Sequence, residues 1–252
     1  MSDTEGVGQG QNPVSSGKED ELKKLLIVEL NQILRERQPI MVLNYPYLRD
    51  SYLQEYGLPE IDPIRYEVAL CLIFGLYQAA ITLSNDLLES LLKYALIYHH
   101  ALQHKKPEED IRGRAIEALN DWLAEGKSRY ANKNLDFTIN QACKIGLISK
   151  EQKGKLHKIR KAYRNAFCHA DKEKLFGDAT TPIEAVRLEG DQMMCEPPVD
   201  SRIADFLIGQ GVFQAAYAEQ NARPYFLYVD GLARQIISKL FPGANEGEES
   251  CT

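Results

Sequence analysis

The sequence predicts an all-α protein, and three observations predict it. Apolar residues recur at i, i+3 and i+4 through most of the 252-residue chain. Helix-start signals precede several of these runs, among them Asp62-Pro63 and Ser149 with Gln152 three residues on. Only after Gly177 does the pattern weaken into short, mixed, Pro-rich sequence. With 44% hydrophobic and 26% charged residues, the composition is that of a globular chain.

The first element expected is "EDELKKLLIVELNQILRER" (19–37). Leu22, Leu25, Leu26, Leu30 and Ile33 carry its apolar face, and it is expected to end before Pro39. "YPYLRDSYLQEYGLPEIDP" (45–63) reads as a Tyr- and Pro-rich connection. The next helix opens with Asp62 as N-cap and Pro63 at the first helical position, and runs through "VALCLIFGLYQAAITL" (68–83). "SNDLLESLLKYALIYHHALQHK" (84–105) is expected to start afresh at Ser84 or Asn85. It turns Leu87, Leu88, Leu91, Leu92, Ala95 and Tyr98 inward.

Two further helices follow, "EEDIRGRAIEALNDWLAEGK" and "NLDFTINQACKIGLIS", separated by Gly126–Asn134. A capping box then opens "SKEQKGKLHKIRKAYRNAFCHA". "TTPIEAVRLEGDQMMCEPPVD" is either a loop or a small hairpin around Gly190. The last helix expected is 223–241, with Pro224 in its first turn. By domain, the expectation is a disordered tail (1–18), an N-terminal helix and linker (19–61) and a helical domain (62–242). The domain has its core at about 62–175 and a C-terminal extension at 176–242. An acidic tail (243–252) ends the chain.

Several function classes are disfavoured by the same sequence. No apolar run approaches the roughly 20 residues that span a bilayer, and the N-terminus has no apolar signal-peptide segment; a cytoplasmic protein is expected. The five cysteines include no CxxC pair, so neither a zinc ribbon nor a thioredoxin-like motif is expected, and reduced thiols are. There is no Rossmann glycine fingerprint, P-loop or HExxH, and no cofactor or metal is expected. His100 and His104 have metal-ligand spacing, but no third ligand lies near them in sequence, which favours polar residues at a helix end.

Charge is unevenly spread. The net formula is −6, yet residues 150–174 hold nine Lys/Arg against three acids. A local positive field on an acidic body suits a focused anionic ligand, although a solvated helix face would look the same. Within that segment stands "RNAFCH" (164–169). An Arg and a His at one fixed spacing mean little alone. Requiring Asn directly after the Arg brings the chance expectation to about 0.01 per chain of this composition.

Arg164-Asn165-x3-His169 near the end of a helix in an all-α chain resembles the signature of the HEPN superfamily. "INQACKIGLISKEQKGKLHKIRKAYRNAFCH" (139–169) resembles the HEPN approach to the motif: a helix, a Gly-Leu-Ile turn, and a second helix. "LSNDLLESLLKYAL" (83–96) resembles an earlier core helix of that antiparallel four-helix bundle. The resemblance covers about residues 62–175. It implies a homodimer whose motif helices face a shared cleft, and metal-independent cleavage of RNA. It also implies a role in toxin–antitoxin or antiphage systems, with an antitoxin or other defence partner. Members paired with a nucleotidyltransferase antitoxin typically carry Tyr two residues after the His; this chain has Asp171. Other members are non-catalytic, so the alternative function is a helical dimer that binds protein or RNA.

The residue types suit the implied chemistry. His169 can exchange protons near neutral pH, and Arg164 offers a fixed forked charge for a developing phosphorane. Asn165 can orient the imidazole or bind a phosphate oxygen. Lys158 and Lys161 lie on the polar side, opposite the apolar stripe Leu156, Ile159, Tyr163 and Phe167, and are the candidate RNA-binding cations. On an α-helix Arg164 and His169 lie about 140° and roughly 7.5 Å apart. One regular helix does not bring them to one phosphate; a bend, or a second copy across a dimer axis, would. The competing reading of His169 is a cap on the helix dipole. Glu89 pairs with Lys93 at i, i+4 and reads more readily as a surface partner than as an acid, although the HEPN resemblance implies that its helix lies beside the motif; Cys168 reads as a small core residue.

Overall fold

The computed structural model describes residues 15–104, 115–168, 176–183, 186–189, 192–195, 198–205 and 210–242. It is mostly helical. The elements are α1 (Ser15–Leu53), α2 (Asp62–Ile73), α3 (Tyr77–Gln103), α4 (Ala115–Tyr130), α5 (Leu135–Lys144) and α6 (Lys150–Ile159). A π-helical segment (Arg160–Cys168) continues α6, and α7 (Gln210–Leu240) closes the chain. Between them lie strands β1 (Thr180–Ile183), β2 (Val186–Glu189), β3 (Gln192–Cys195) and β4 (Val199–Arg202). β2 pairs antiparallel with β3, Glu189 opposite Gln192, so of the two readings around Gly190 the hairpin holds. β1 pairs with β4 outside it, Thr180 opposite Arg202.

α1 departs most from expectation. It does not end before Pro39; it runs as one helix through Pro39 and Pro46, and it includes Ser15–Lys18, expected as tail. Each proline removes one backbone donor and would weaken an isolated helix. Packing of the second half offsets that loss. Leu48 is fully buried, Asn44 Nδ2 donates to Leu72 O at 2.8 Å, and Ser51 Oγ donates to Asp230 Oδ2 at 3.0 Å.

The break expected at Ser84 falls instead at Gly75, where φ is +71°. A Cβ there would sit 2.9 Å from Ile40 Cγ2 of α1, so glycine answers both the conformation and the close approach. α3 runs straight through Ser84 and Asn85, both buried. Asp62 is not a side-chain cap of α2; its two oxygens accept from the Tyr56 and Leu58 amides and fold the 54–61 connection back. α4 continues past Gly126, where a Cβ would meet Ile97 O of α3 at 3.0 Å. Asn134 caps α5, which the sequence reading did not single out, and the Ser149–Gln152 capping box opens α6, as the sequence indicated.

The core is one cluster built around α3, whose Leu87, Leu88, Leu91, Leu92 and Leu96 are 0–2% exposed. α7 belongs to that core and is longer than expected. Ala218, Ala222, Phe226, Val229, Ala233 and Ile236 are all fully buried, and Pro224 sits inside the helix, not in its first turn. The core therefore extends beyond 62–175 into the segment read as an extension. A buried ionic hub ties α7 back to the front of the chain. Arg65 Nε of α2 donates to Asp230 Oδ1 at 2.5 Å, and Tyr56 Oη donates to the same oxygen at 2.6 Å. Among the described residues no helix is long and apolar enough to cross a membrane.

Candidate active site

The motif segment begins where α6 changes its winding. α6 has α geometry up to Ile159, and Arg160–Cys168 are π-helical, with bonds from i to i+5. Short π segments are uncommon and concentrate at functional positions. One face of this segment is fixed by α7. Tyr163 stacks on Tyr225 at 4.7 Å and 25°, and its hydroxyl donates to Asn221 Oδ1 at 3.3 Å. Phe167 lies 6.4 Å from Tyr217, and Tyr225 Oη reaches on to Asn85 Oδ1 of α3 at 2.8 Å. Burial, with Tyr217 beside it, pushes the Tyr163 hydroxyl up to about 12, so it stays protonated at neutral pH. The apolar stripe expected from sequence is present: Leu156 is buried, and Ile159, Tyr163 and Phe167 pack against the core.

Arg164 points elsewhere, toward α3. Its Nη2 lies 3.1 Å from Glu89 Oε2, while Glu89 Oε1 takes Lys93 Nζ at 2.9 Å. One carboxylate thus serves two cations, one oxygen each. Asp86, one turn earlier on α3, faces the same group. Crowding by protein raises its carboxyl above the usual range, the Glu89 charge adds to this, and Arg164 opposes it. Arg164 is about one-third exposed, open enough to meet a ligand.

Of the other sequence-predicted residues, Lys158 and Lys161 are exposed along α6 and the π segment. Among the described residues neither has a carboxylate partner within ion-pair distance. His157 does not add to their charge. Burial lowers its pKa; Asp136, 3.5 Å away, raises it, and the cations Arg160, Lys153 and Lys161 lower it further, with a net shift downward. Arg160 is held by Asp136 at 2.9 Å. Asn165 lies on the π segment, but its side chain, like that of Cys168, is outside the described residues, and so is His169. The described structure therefore brings together Arg164, Glu89, Asp86 and Lys93.

His100 and His104 stack at 4.4 Å. His100 Nε2 lies 3.4 Å from Glu125, and His104 Nδ1 bonds the His100 carbonyl. Both fix the end of α3. A cleft of about 610 Å³ opens between the end of α1 and the start of α2, lined by Tyr52, Gln54, Asp62, Arg65 and Tyr66. Its lining includes neither Arg164 nor the α3 carboxylates, so volume and motif do not coincide.

Sequence reasoning missed Asp86, Tyr217, Asn221 and Tyr225. The last three stand at i, i+4 and i+8 on α7, a polar-aromatic column that the spacing alone could have flagged. Compared with protein-family models, with curated proteins and with solved structures, the chain matches none.

Proposed function

We propose that this chain is a metal-independent endoribonuclease with a HEPN-like helical core, working as a homodimer and serving as a toxin or antiphage effector. The observation that carries this reading is the π winding of Arg160–Cys168. The described segment ends at Cys168 and so does not include His169; what it carries is Arg164, set at this change of winding against Glu89 of α3 and still about one-third exposed. A local change of winding at the motif supports a site and is not needed for a plain surface helix.

In the proposed reaction a His169 imidazole takes the proton of the RNA 2′-hydroxyl, whose oxygen attacks the adjacent phosphorus. The bond from phosphorus to the 5′-oxygen breaks, and that oxygen takes a proton from an imidazolium. The products are a 2′,3′-cyclic phosphate and a 5′-hydroxyl end. Arg164, already aimed by Glu89, stabilises the charge on the phosphorane. With one motif from each subunit in a shared cleft, one histidine acts as base and the other as acid. Each Glu89 oxygen is taken by a cation, which makes that carboxylate a poor metal ligand here. Assignment to toxin or antiphage systems rests on the resemblance of Arg164-Asn165-x3-His169 alone.

A second reading is favoured by one observation: Arg164 already has a partner in Glu89, as a purely structural arginine would. On that reading the chain is a non-catalytic helical dimer that binds protein or RNA. Digestion of RNA with EDTA present, followed by analysis of the ends, separates the two. Cyclic-phosphate and 5′-hydroxyl ends that appear with wild type and not with a variant shown to be monomeric are expected. Loss of cleavage in EDTA, 5′-phosphate ends, a fully active monomer, or RNA binding without cleavage would each overturn the enzymatic reading.

A further inference from the structure

The first half of α1 leaves the body of the protein with an apolar face that nothing among the described residues covers. Every residue from Glu19 to Glu36 is exposed. Leu22, Leu26, Ile27, Leu30, Ile33 and Leu34 are each between 46% and 58% exposed. At 100° per residue these six fall within one arc of about 140°. Together they leave roughly 550 Å² of apolar surface open per chain, at the level where exposed patches mark interaction sites. Two such faces give at most roughly 1,100 Å², about the ~1,000 Å² expected of a specific interface.

We propose that this face binds the same face of a second copy, as an antiparallel helix pair with its two-fold axis at the level of Val28 along the helix. The four leucines of the face are self-complementary about that level, while the counterparts of Ile27 and Ile33 are Glu29 and Lys23. Six residues on either side stand Leu22 and Leu34; two on either side stand Leu26 and Leu30. An antiparallel two-fold sets each against the other's counterpart, as an isologous contact requires. Charge selects the direction. Glu19 and Arg37 lie at the two ends of the face, near its midline, so antiparallel pairing sets Glu19 of one copy against Arg37 of the other. Parallel pairing would set like against like. Neighbouring charges are already used locally: Lys23 lies 4.0 Å from Asp20, and Glu36 accepts from Gln32 at 3.0 Å. The bodies begin where α1 packs, at Ile40, Asn44 and Leu48. Antiparallel pairing over about 28 Å of helix puts the two bodies at opposite ends of the pair. This pairing is separate from the cleft of the proposed nuclease and does not depend on it.

The test is the mass of the full chain by light scattering and sedimentation, with circular dichroism as the check on folding. Leu26→Glu with Leu30→Glu should halve the mass of the assembly while leaving the helical signal of the body unchanged, because both positions are already exposed. Glu19→Arg and Arg37→Glu should each weaken association at least tenfold, and the two together should restore it. An unchanged mass in the leucine variant would overturn the proposal. Failure of the double charge swap to restore association would do the same, since a parallel pair is indifferent to it. So would a monomeric wild type whose helix 19–36 binds vesicles of anionic lipid or another protein. The variant His169→Ala should leave the mass unchanged, which keeps this result distinct from any failure of the nuclease reading.

Discussion

Replacing Asp230 by Ala should be among the most damaging single changes in the protein. Four side chains from four parts of the chain converge on this carboxylate: Ser51 of α1, Tyr56 of the connection, Arg65 of α2 and Arg234 of α7. Arg65 and Asp230 are 3% and 5% exposed. Arg65 Nη2 is buried without a partner, and Nη1 donates to Gln54 O. Without Asp230 the guanidinium keeps its burial and loses its counter-charge, a situation that costs about 3–5 kcal/mol. For a domain of this size that corresponds to a drop of roughly 10 °C in Tm. Urea unfolding followed by circular dichroism measures it. The double variant Arg65→Met with Asp230→Ala should recover about half of the loss, because the uncompensated charge goes with the arginine. A single-variant loss under about 1 kcal/mol, or strict additivity in the cycle, would refute the account of this hub. The pair also fixes a pH dependence. Burial pushes the Asp230 carboxyl up, but hydrogen bonds from Arg65 and Tyr56 and the charges of Arg65 and Arg234 outweigh it and hold it below the ordinary range. A depressed folded-state pKa contributes stability above the unfolded value, about 3.9, and that stability is lost as pH falls through the folded value. Asp230→Asn should flatten that acid limb.

Three further outcomes concern the motif. His169→Ala should leave the fold intact and abolish RNA cleavage and toxicity on overexpression; unchanged toxicity in a folded variant would reject its catalytic role. Lys158→Glu with Lys161→Glu should weaken RNA binding and reduce the slope of log affinity against log salt by about 2, measured by titration at several salt concentrations. An unaltered slope would move the RNA path elsewhere. Glu89→Gln should cost about 1 kcal/mol or less by urea unfolding, because Arg164 and Glu89 are partly exposed.

The helical class, the capping box at Ser149 and the inward leucines of α3 were legible because each is written in local spacing. The errors have physical sources. Pro39 and Pro46 read as breaks, but the side chains that overrule them, Asn44, Leu48 and Ser51, find their partners in α2, Tyr77 and α7, which no local window contains. Ser84 and Asn85 read as caps because small polar residues prefer helix starts. Here they are buried, and Asn85 is satisfied from 140 residues away by Tyr225. The π winding left no trace in the stripe Ile159, Tyr163 and Phe167. A spacing of four overshoots one α turn and falls short of one π turn by similar angles, so it fits both. Arg164 was visible as a motif residue, and the resemblance implied that the Glu89 helix lies beside it; the ion pair itself was not legible, since it joins two helices whose packing is tertiary.

That tie bears on how Arg164 meets a phosphate in the proposed site. Glu89 divides its charge between Arg164 and Lys93, and Asp86 adds a second acid beside them. Two acids and two cations leave the group near neutrality, so an incoming phosphate meets little repulsion. Lys93→Met removes one cation, leaves Glu89 to Arg164 alone, and turns the group net negative. Both changes oppose a phosphate at Arg164. At partly exposed positions each such interaction is worth about 1 kcal/mol, which corresponds to a weakening of roughly fivefold. Measured as RNA affinity in the His169→Ala background, so that cleavage does not intervene, Lys93→Met should show that loss. Adding Glu89→Gln should reverse it, because the amide restores the charge balance and frees the guanidinium. An affinity indifferent to Lys93→Met, or a double variant weaker than the single, would mean that RNA does not approach Arg164 from the α3 side.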